Sequence, residues 1–174
     1  MVKKTVEYGG FGVPLLLVDW PHIEVEGELI PKIEYSKMEK LLFRSIPLKP
    51  ARISGAEVKF LRHHMDMTQG EFADWLGDVD STTIAKWEKA DLNPTGMKPK
   101  TELDLRLNIV MKIHDEARRT MVSTSTIRKI KEVTRNPDHG TVMPHYDSAV
   151  CFPLLGSLSE IKKRGLYEGA YQID

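Results

Sequence analysis

Six histidines, one cysteine and 25 carboxylates are the groups in this 174-residue chain that could hold a metal or move a proton. Their spacing gives them little to do. His63-His64 falls in a helical stretch, where neighbouring side chains point about 100° apart, so the pair cannot easily share one ion. Surface or partly buried histidines are the plainer reading. Asp138, His139, His145 and Asp147 share a loop-like stretch with Cys151 nearby, but no ligand spacing there matches a zinc set. Gly9-Gly10-Phe11-Gly12 lacks the third glycine and the following helix of a dinucleotide fingerprint, and reads as a turn. No serine, histidine and carboxylate have the local context of a nucleophile. The residues point to no enzyme, no cofactor and no metal.

The elements around these residues carry more information. Val6 to Tyr8, Phe11 to Trp20, Ile23 to Glu26 and Leu29 to Ile33 read as strands. Gly27-Glu28 marks a hairpin and Pro31 an edge. Met38, Leu41 and Leu42 share a face of a short helix from about Ser36, which Pro47 and Pro50 end. Ser54-Gly55-Ala56-Glu57 is a capping box: the serine oxygen accepts the amide three residues on, and the glutamate reaches back. Val58, Leu61 and Met65 follow on one stripe. Thr68-Gln69-Gly70-Glu71 is a second box, followed by Phe72, Ala73, Trp75 and Leu76 and stopped by Gly77. A helix over Ser81 to Lys89 buries Ile84 and Trp87. Another, about Lys100 to Arg118, has Leu103, Leu107, Val110, Met111 and His114 as its expected inner stripe. Ser125 to Arg135 fits an amphipathic helix with Ile127, Ile130 and Val133 inward, and Ser159 to Arg164 a short one. Asn136 to Pro144 reads as a loop.

This organisation predicts a mainly α fold with a small N-terminal β-sheet. Residues 1–50 form a β-rich region with a short helix, residues 51–118 a helical domain, and residues 119–174 a helical or irregular extension. Lysine and arginine balance aspartate and glutamate at 25 each. The neutrality comes from alternating blocks: net −3 over residues 1–35, +5 over 36–62, −4 over 63–111, +4 over 112–135 and −2 over 136–174. Such balance excludes a charge-driven nucleic-acid coat but leaves two basic blocks as phosphate-binding or simply solvated faces. One cysteine excludes an internal disulfide framework. No apolar run reaches the roughly 18 residues of a membrane span, and the N-terminus lacks a signal peptide's apolar core. A cytoplasmic protein is the expectation.

Two short helices joined by a tight turn define a helix-turn-helix, and its needs are met in order. Ala73 is the small residue where the helices cross. Gly77 can take the left-handed conformation that ends the first helix. Ile84 and Trp87 bury one stripe of the second, leaving its N-terminal and outward residues to enter a groove about 12 Å wide. The stretch from Leu61 through Thr68-Gln69-Gly70-Glu71-Phe72-Ala73 to Gly77, continued by Thr83-Ile84-Ala85-Lys86-Trp87-Glu88-Lys89, resembles the Xre-type family of lambda-repressor and Cro-like DNA-binding proteins. The resemblance spans roughly residues 54–115 and implies a lambda-repressor-like helical DNA-binding domain. It implies that Gln69 binds a phosphate and braces a recognition-helix side chain. Ser81, Thr82, Ala85 and Lys86 would face bases or nearby phosphates, and Lys89 the backbone at the far end. Arg62 and Glu88 match a structural ion pair. The expected partner is double-stranded DNA carrying a palindromic operator, read by a homodimer.

Two departures stand out. The turn at Asp78-Val79-Asp80 is one residue longer than usual in the family, and Asp66 stands where a glycine is common. Asp80 or Ser81 is the expected N-cap of the second helix. The N-terminal layout is weakly similar to antitoxin regulators with a small zinc-binding domain, but their paired cysteines are missing and the metal does not carry over. What that similarity implies is an N-terminal part that contacts a partner toxin protein.

Overall fold

The computed structural model describes residues 2–49, 51–77, 79–116, 122–135 and 151–153. The protein is mainly helical with a small sheet. It divides into two compact units, Met1–Leu42 with Val142–Asp174, and Phe43–Thr141. Among the described residues no helix is long and apolar enough to cross a membrane. The proposed helix at Ser159 to Arg164, the loop at Asn136 to Pro144 and the residues Asp138, His139, His145 and Asp147 lie outside the described residues.

The first unit is organised around β2 (Leu15–Val25). β1 (Val2–Tyr8) pairs antiparallel with it, with an irregularity between Lys4 and Val6. β3 (Glu28–Pro31) pairs with its far half, Ile23 opposite Ile30, and β4 (Cys151–Pro153) with Leu15–Leu17. Leu15, Leu16 and Leu17 are fully buried. Successive strand side chains point to opposite faces, so this half of β2 is covered on both. The hairpin turn holds Glu26 and Gly27 at φ 52° and 84°, the left-handed pair that matches strand twist in a two-residue turn. It therefore falls one residue earlier than Gly27-Glu28, and Glu28 pairs with Val25. β1 starts four residues before the expected Val6. β2 begins only after Gly12, at φ 71°.

α1 (Tyr35–Ser45) carries the boundary between the units, which falls between Leu42 and Phe43. Met38 and Leu42 are buried as expected, whereas Leu41 is half-buried. A 3-10 turn, Ile46–Leu48, follows. Then come α2 (Gly55–His64), α3 (Gln69–Leu76), α4 (Ser81–Glu88), α5 (Pro99–Glu116) and α6 (Thr124–Arg135). Both capping boxes are present. Ser54 accepts from the Glu57 amide at 3.3 Å while Glu57 accepts from Ser54 N at 2.7 Å, and Thr68 and Glu71 repeat the exchange at 3.2 and 2.7 Å.

The core of the second unit is unusual in holding charge. Arg106 on α5 is fully buried. Its guanidinium donates to the carbonyls of Pro47, Lys49 and Ala51 and to Glu102 one turn earlier, at 2.6–3.2 Å. Glu102, also fully buried, pairs with Arg52 at 2.7 Å and accepts from Ile53 N at 3.2 Å. The guanidinium thus satisfies carbonyls that the proline-broken segment cannot use in a helix. Lys49 is buried too and donates to Glu57 at 2.7 Å. Burial pushes its ammonium below the usual lysine range, and the Glu57 carboxylate works against that shift.

α5 corrects one expectation. Its inner stripe is Glu102, Leu105, Arg106, Ile109 and Val110, all at most 4% exposed. Of the expected stripe only Val110 belongs to it. Leu103, Leu107 and His114 are half-buried and Met111 is 55% exposed. Both sets recur at helical spacing, and the buried ion pair selects the face that turns inward. On α6, Ile130 is buried and Ile127 half-buried. The side chain of Val133 lies outside the described ones.

Candidate nucleic-acid interface

Three ties place α4. The first is at its N-terminus. Asp80 is the cap, accepting from Thr83 N at 2.7 Å and from the Thr82 hydroxyl at 2.8 Å. These two donors hold its carboxyl below the usual range. α3 ends at Leu76 with Gly77 at φ 100°, and Ser81 is the first helical residue of α4.

The second tie is at the other end. Glu88 accepts from Arg62 Nε at 2.6 Å and Nη2 at 3.2 Å, and from Gln69 Nε2 at 2.8 Å. Arg62 also donates to the Met67 carbonyl at 2.8 Å. Burial alone would raise the Glu88 pKa, but the Arg62 and Gln69 hydrogen bonds and the Arg62 charge outweigh it and hold the carboxyl below the usual range. One carboxylate therefore joins α2, α3 and α4, and Arg62 adds the segment before α3. The third tie is backbone to backbone. The unpaired amides of Gly55 and Ala56 in the first turn of α2 donate to the carbonyls of Asn93 and Asp91, just beyond α4, at 3.2 and 2.7 Å. Gly55 lies so close there that a side-chain carbon would meet the Trp87 carbonyl, and would stand 2.6 Å from Asp91 N and 2.9 Å from Glu88 O.

These ties fix which way α4 faces. Ile84 and Trp87 are buried, at 0% and 7% exposure. Ser81, Thr82, Lys86 and Lys89 are exposed, and Ala85 is half-buried between them. At 3.6 residues per turn these five form one stripe opposite the buried pair. Among the described residues neither Lys86 nor Lys89 pairs with a carboxylate. Gln69 is half-buried at the first position of α3, with its amide on Glu88. It occupies the bracing position, and its bond partner is the glutamate at the end of α4.

The stripe offers two hydroxyls near a helix N-terminus, two ammonium groups and a small residue that admits close approach. Such a surface suits hydrogen bonds to base edges and phosphates better than proton transfer. Asp80, the cap of α4, is exposed, and so are Glu71 and Asp74 on α3. Asp66 has φ 54°, the left-handed conformation that explains a glycine preference at this turn between α2 and α3. His64 stacks beside Phe43 and Phe60, with centroids 4.3 and 6.0 Å away. His63 is exposed next door. Among the described residues no three histidine, cysteine or carboxylate side chains gather where a metal ion would be held.

Sequence reasoning missed the buried charges. Apart from Glu102 one turn earlier, the partners of Arg106 are carbonyls that lie 55 to 59 residues away along the chain, and no local pattern announces them. Comparisons with protein-family models, with curated proteins and with solved structures find no match to this chain.

Proposed function

We propose that this protein is a sequence-specific DNA-binding transcriptional regulator of the repressor type, acting in the cytoplasm as a homodimer on a palindromic operator. The observation that carries the reading is the outward stripe of α4, held at both ends and by the backbone of α2. In it Ser81, Thr82, Ala85 and Lys86 meet base edges and nearby phosphates, and Lys89 meets the backbone at the far end of the helix. Gln69 braces Glu88 and presents the N-terminus of α3 to a phosphate. The Xre-type resemblance of the same residues supports this assignment.

The acidic block that contains the stripe shapes its behaviour. Residues 63–111 carry a net −4, which disfavours a phosphate backbone, so non-specific affinity is modest and binding leans on correct base contacts. One short helix reads few base pairs, and two copies about one helical turn apart supply the rest. The test is binding to a selected duplex. Lys86→Ala weakens it and lowers the salt slope by about 1, while Lys3→Ala leaves it nearly unchanged. Equal losses from both, or none from either, would reject the placement of the stripe.

One observation favours a second reading, an antitoxin-type interaction module whose DNA binding is secondary. One face of the β2–β3 hairpin exposes Ile23, Val25 and Ile30 at 42–43%, and an exposed apolar cluster marks a contact surface. Co-purification of a stoichiometric toxin encoded beside this chain, together with no sequence enrichment on DNA, would favour it over the regulator.

A further inference from the structure

α6 turns a charged stripe outward. Its Ile130 and Thr134 are buried, and the Thr134 hydroxyl donates to the Ile130 carbonyl at 2.8 Å. The helix packs against α5 and the Ile46–Leu48 turn, within the unit that holds α4. Its start is fixed by Ser123, whose hydroxyl accepts from Thr126 N at 3.2 Å. Thr124, Arg128, Lys131 and Arg135 are all exposed. At 3.6 residues per turn these four fall within about 60° of arc, and at 1.5 Å per residue they extend over about 16 Å. Ile127 borders the stripe on one side and Glu132 on the other, and a cleft of about 450 Å³ runs along these six residues. Like charges three and four positions apart on a helix repel, and Arg128 with Lys131 and Lys131 with Arg135 are such pairs. Among the described residues none of the three cations meets a carboxylate, Glu132 included. An anion from outside the chain would relieve their repulsion.

The layout selects the anion. A single phosphate or carboxylate is held by groups that converge on a point, whereas these cations are strung along a line with a hydroxyl at one end. A sugar-phosphate backbone presents its charges in a row, and basic side chains and hydroxyls are the groups that contact it. We infer that the α6 stripe grips the phosphate backbone of duplex DNA without reading its sequence. The inference rests on the DNA-binding function proposed above and divides it between two helices. α4 selects the site, and α6 supplies the sequence-independent hold that the acidic block containing α4 lowers.

Binding of the full chain to a random-sequence duplex, beside the selected operator, tests this. Arg128→Gln with Lys131→Gln and Arg135→Gln should lose affinity for both duplexes by the same factor, about tenfold or more, and lower the salt slope by about 3, one for each phosphate contact. The preference for operator over random duplex should stay as it was. The thermal melt should match the wild type, because the three side chains are exposed. Arg128→Lys with Arg135→Lys keeps the charge and should bind the random duplex nearly as the wild type does. Unchanged affinity and slope in the glutamine variant, a loss confined to the operator, or an equal loss in the charge-keeping variant would overturn the stripe as a backbone grip. So would displacement of the random duplex by polyglutamate of matched charge, which would point to an acidic protein instead. The two helices fail separately. Random duplex bound with no operator preferred to it counts against α4, while the glutamine variant still decides α6. Operator binding that the glutamine variant leaves intact rejects α6 and keeps α4. A wild type that binds no duplex overturns both.

Discussion

The charges in the α2–α5 core and the charges on α4 are arranged in opposite ways. Arg106, Glu102, Lys49 and Glu57 are buried; Lys49 meets Glu57, and the other three each meet several partners in the chain. Lys86 and Lys89 are exposed and meet none among the described residues. Arg62, Glu88 and Gln69 lie between these extremes, partly buried and joined to one another. The first set fixes the frame, the last holds α4 to it, and on the proposed reading the exposed donors of α4 meet DNA. Substitutions in the frame should therefore cost stability, and substitutions on the stripe should cost binding alone.

The largest stability loss is expected from Arg106→Ala. It leaves three carbonyls unpaired in the core and takes from the buried Glu102 carboxylate one of its two arginines, the other being Arg52, and breaking a buried pair costs about 3–5 kcal/mol. Urea unfolding should show it. A loss below 1 kcal/mol would mean that water reaches the site and that the network is not structural. Gly55→Ala comes next, at about 1–3 kcal/mol, since the added carbon meets backbone that neither α2 nor α4 can yield. Because the clash displaces α4, it should also weaken DNA binding, unlike a pure core change.

How far each part was legible follows from these same residues. The capping boxes at Ser54 and Thr68, the stop at Gly77 and the Ile84–Trp87 stripe are local chemistry, and all can be read along the chain. The Arg62–Glu88 pair came from the resemblance alone. The inner face of α5 was misread because Leu103, Leu107 and Met111 repeat as regularly as Leu105 and Ile109. The inward face is the one that holds Arg106, whose carbonyl partners are distant in sequence. A charged residue in a periodic pattern reads as an outward one, and here it marks the inside. The left-handed backbone at Asp66 left only a trace, as a departure from the family's glycine.

Acid should separate the intermediate set from the rest. The Glu88 carboxyl is held below its ordinary value in the folded chain, so the folded state binds fewer protons than the unfolded one. Its contribution is present above the ordinary carboxylate pKa, near 4.3, and is lost as the pH falls through the lower folded value. Arg62→Gln removes the charge behind part of that shift and should flatten the acid limb of a stability profile. An unchanged limb would mean that Glu88 is held by Gln69 alone. A smaller effect is expected at Asp66. Glycine there relieves the left-handed conformation but loosens the unfolded chain, so Asp66→Gly should change stability by only about 0.5 kcal/mol, whereas Asp66→Val should lower it clearly. Lys86→Ala should leave the unfolding midpoint where it was.

The most direct test of the reading helix is selection of bound sequences by the full chain from a random pool of duplexes. The account predicts one enriched palindrome, with half-sites about one helical turn apart, whose binding falls with salt and is lost in Lys86→Ala. No enrichment, or an enriched site that Lys86→Ala binds equally well, would contradict it.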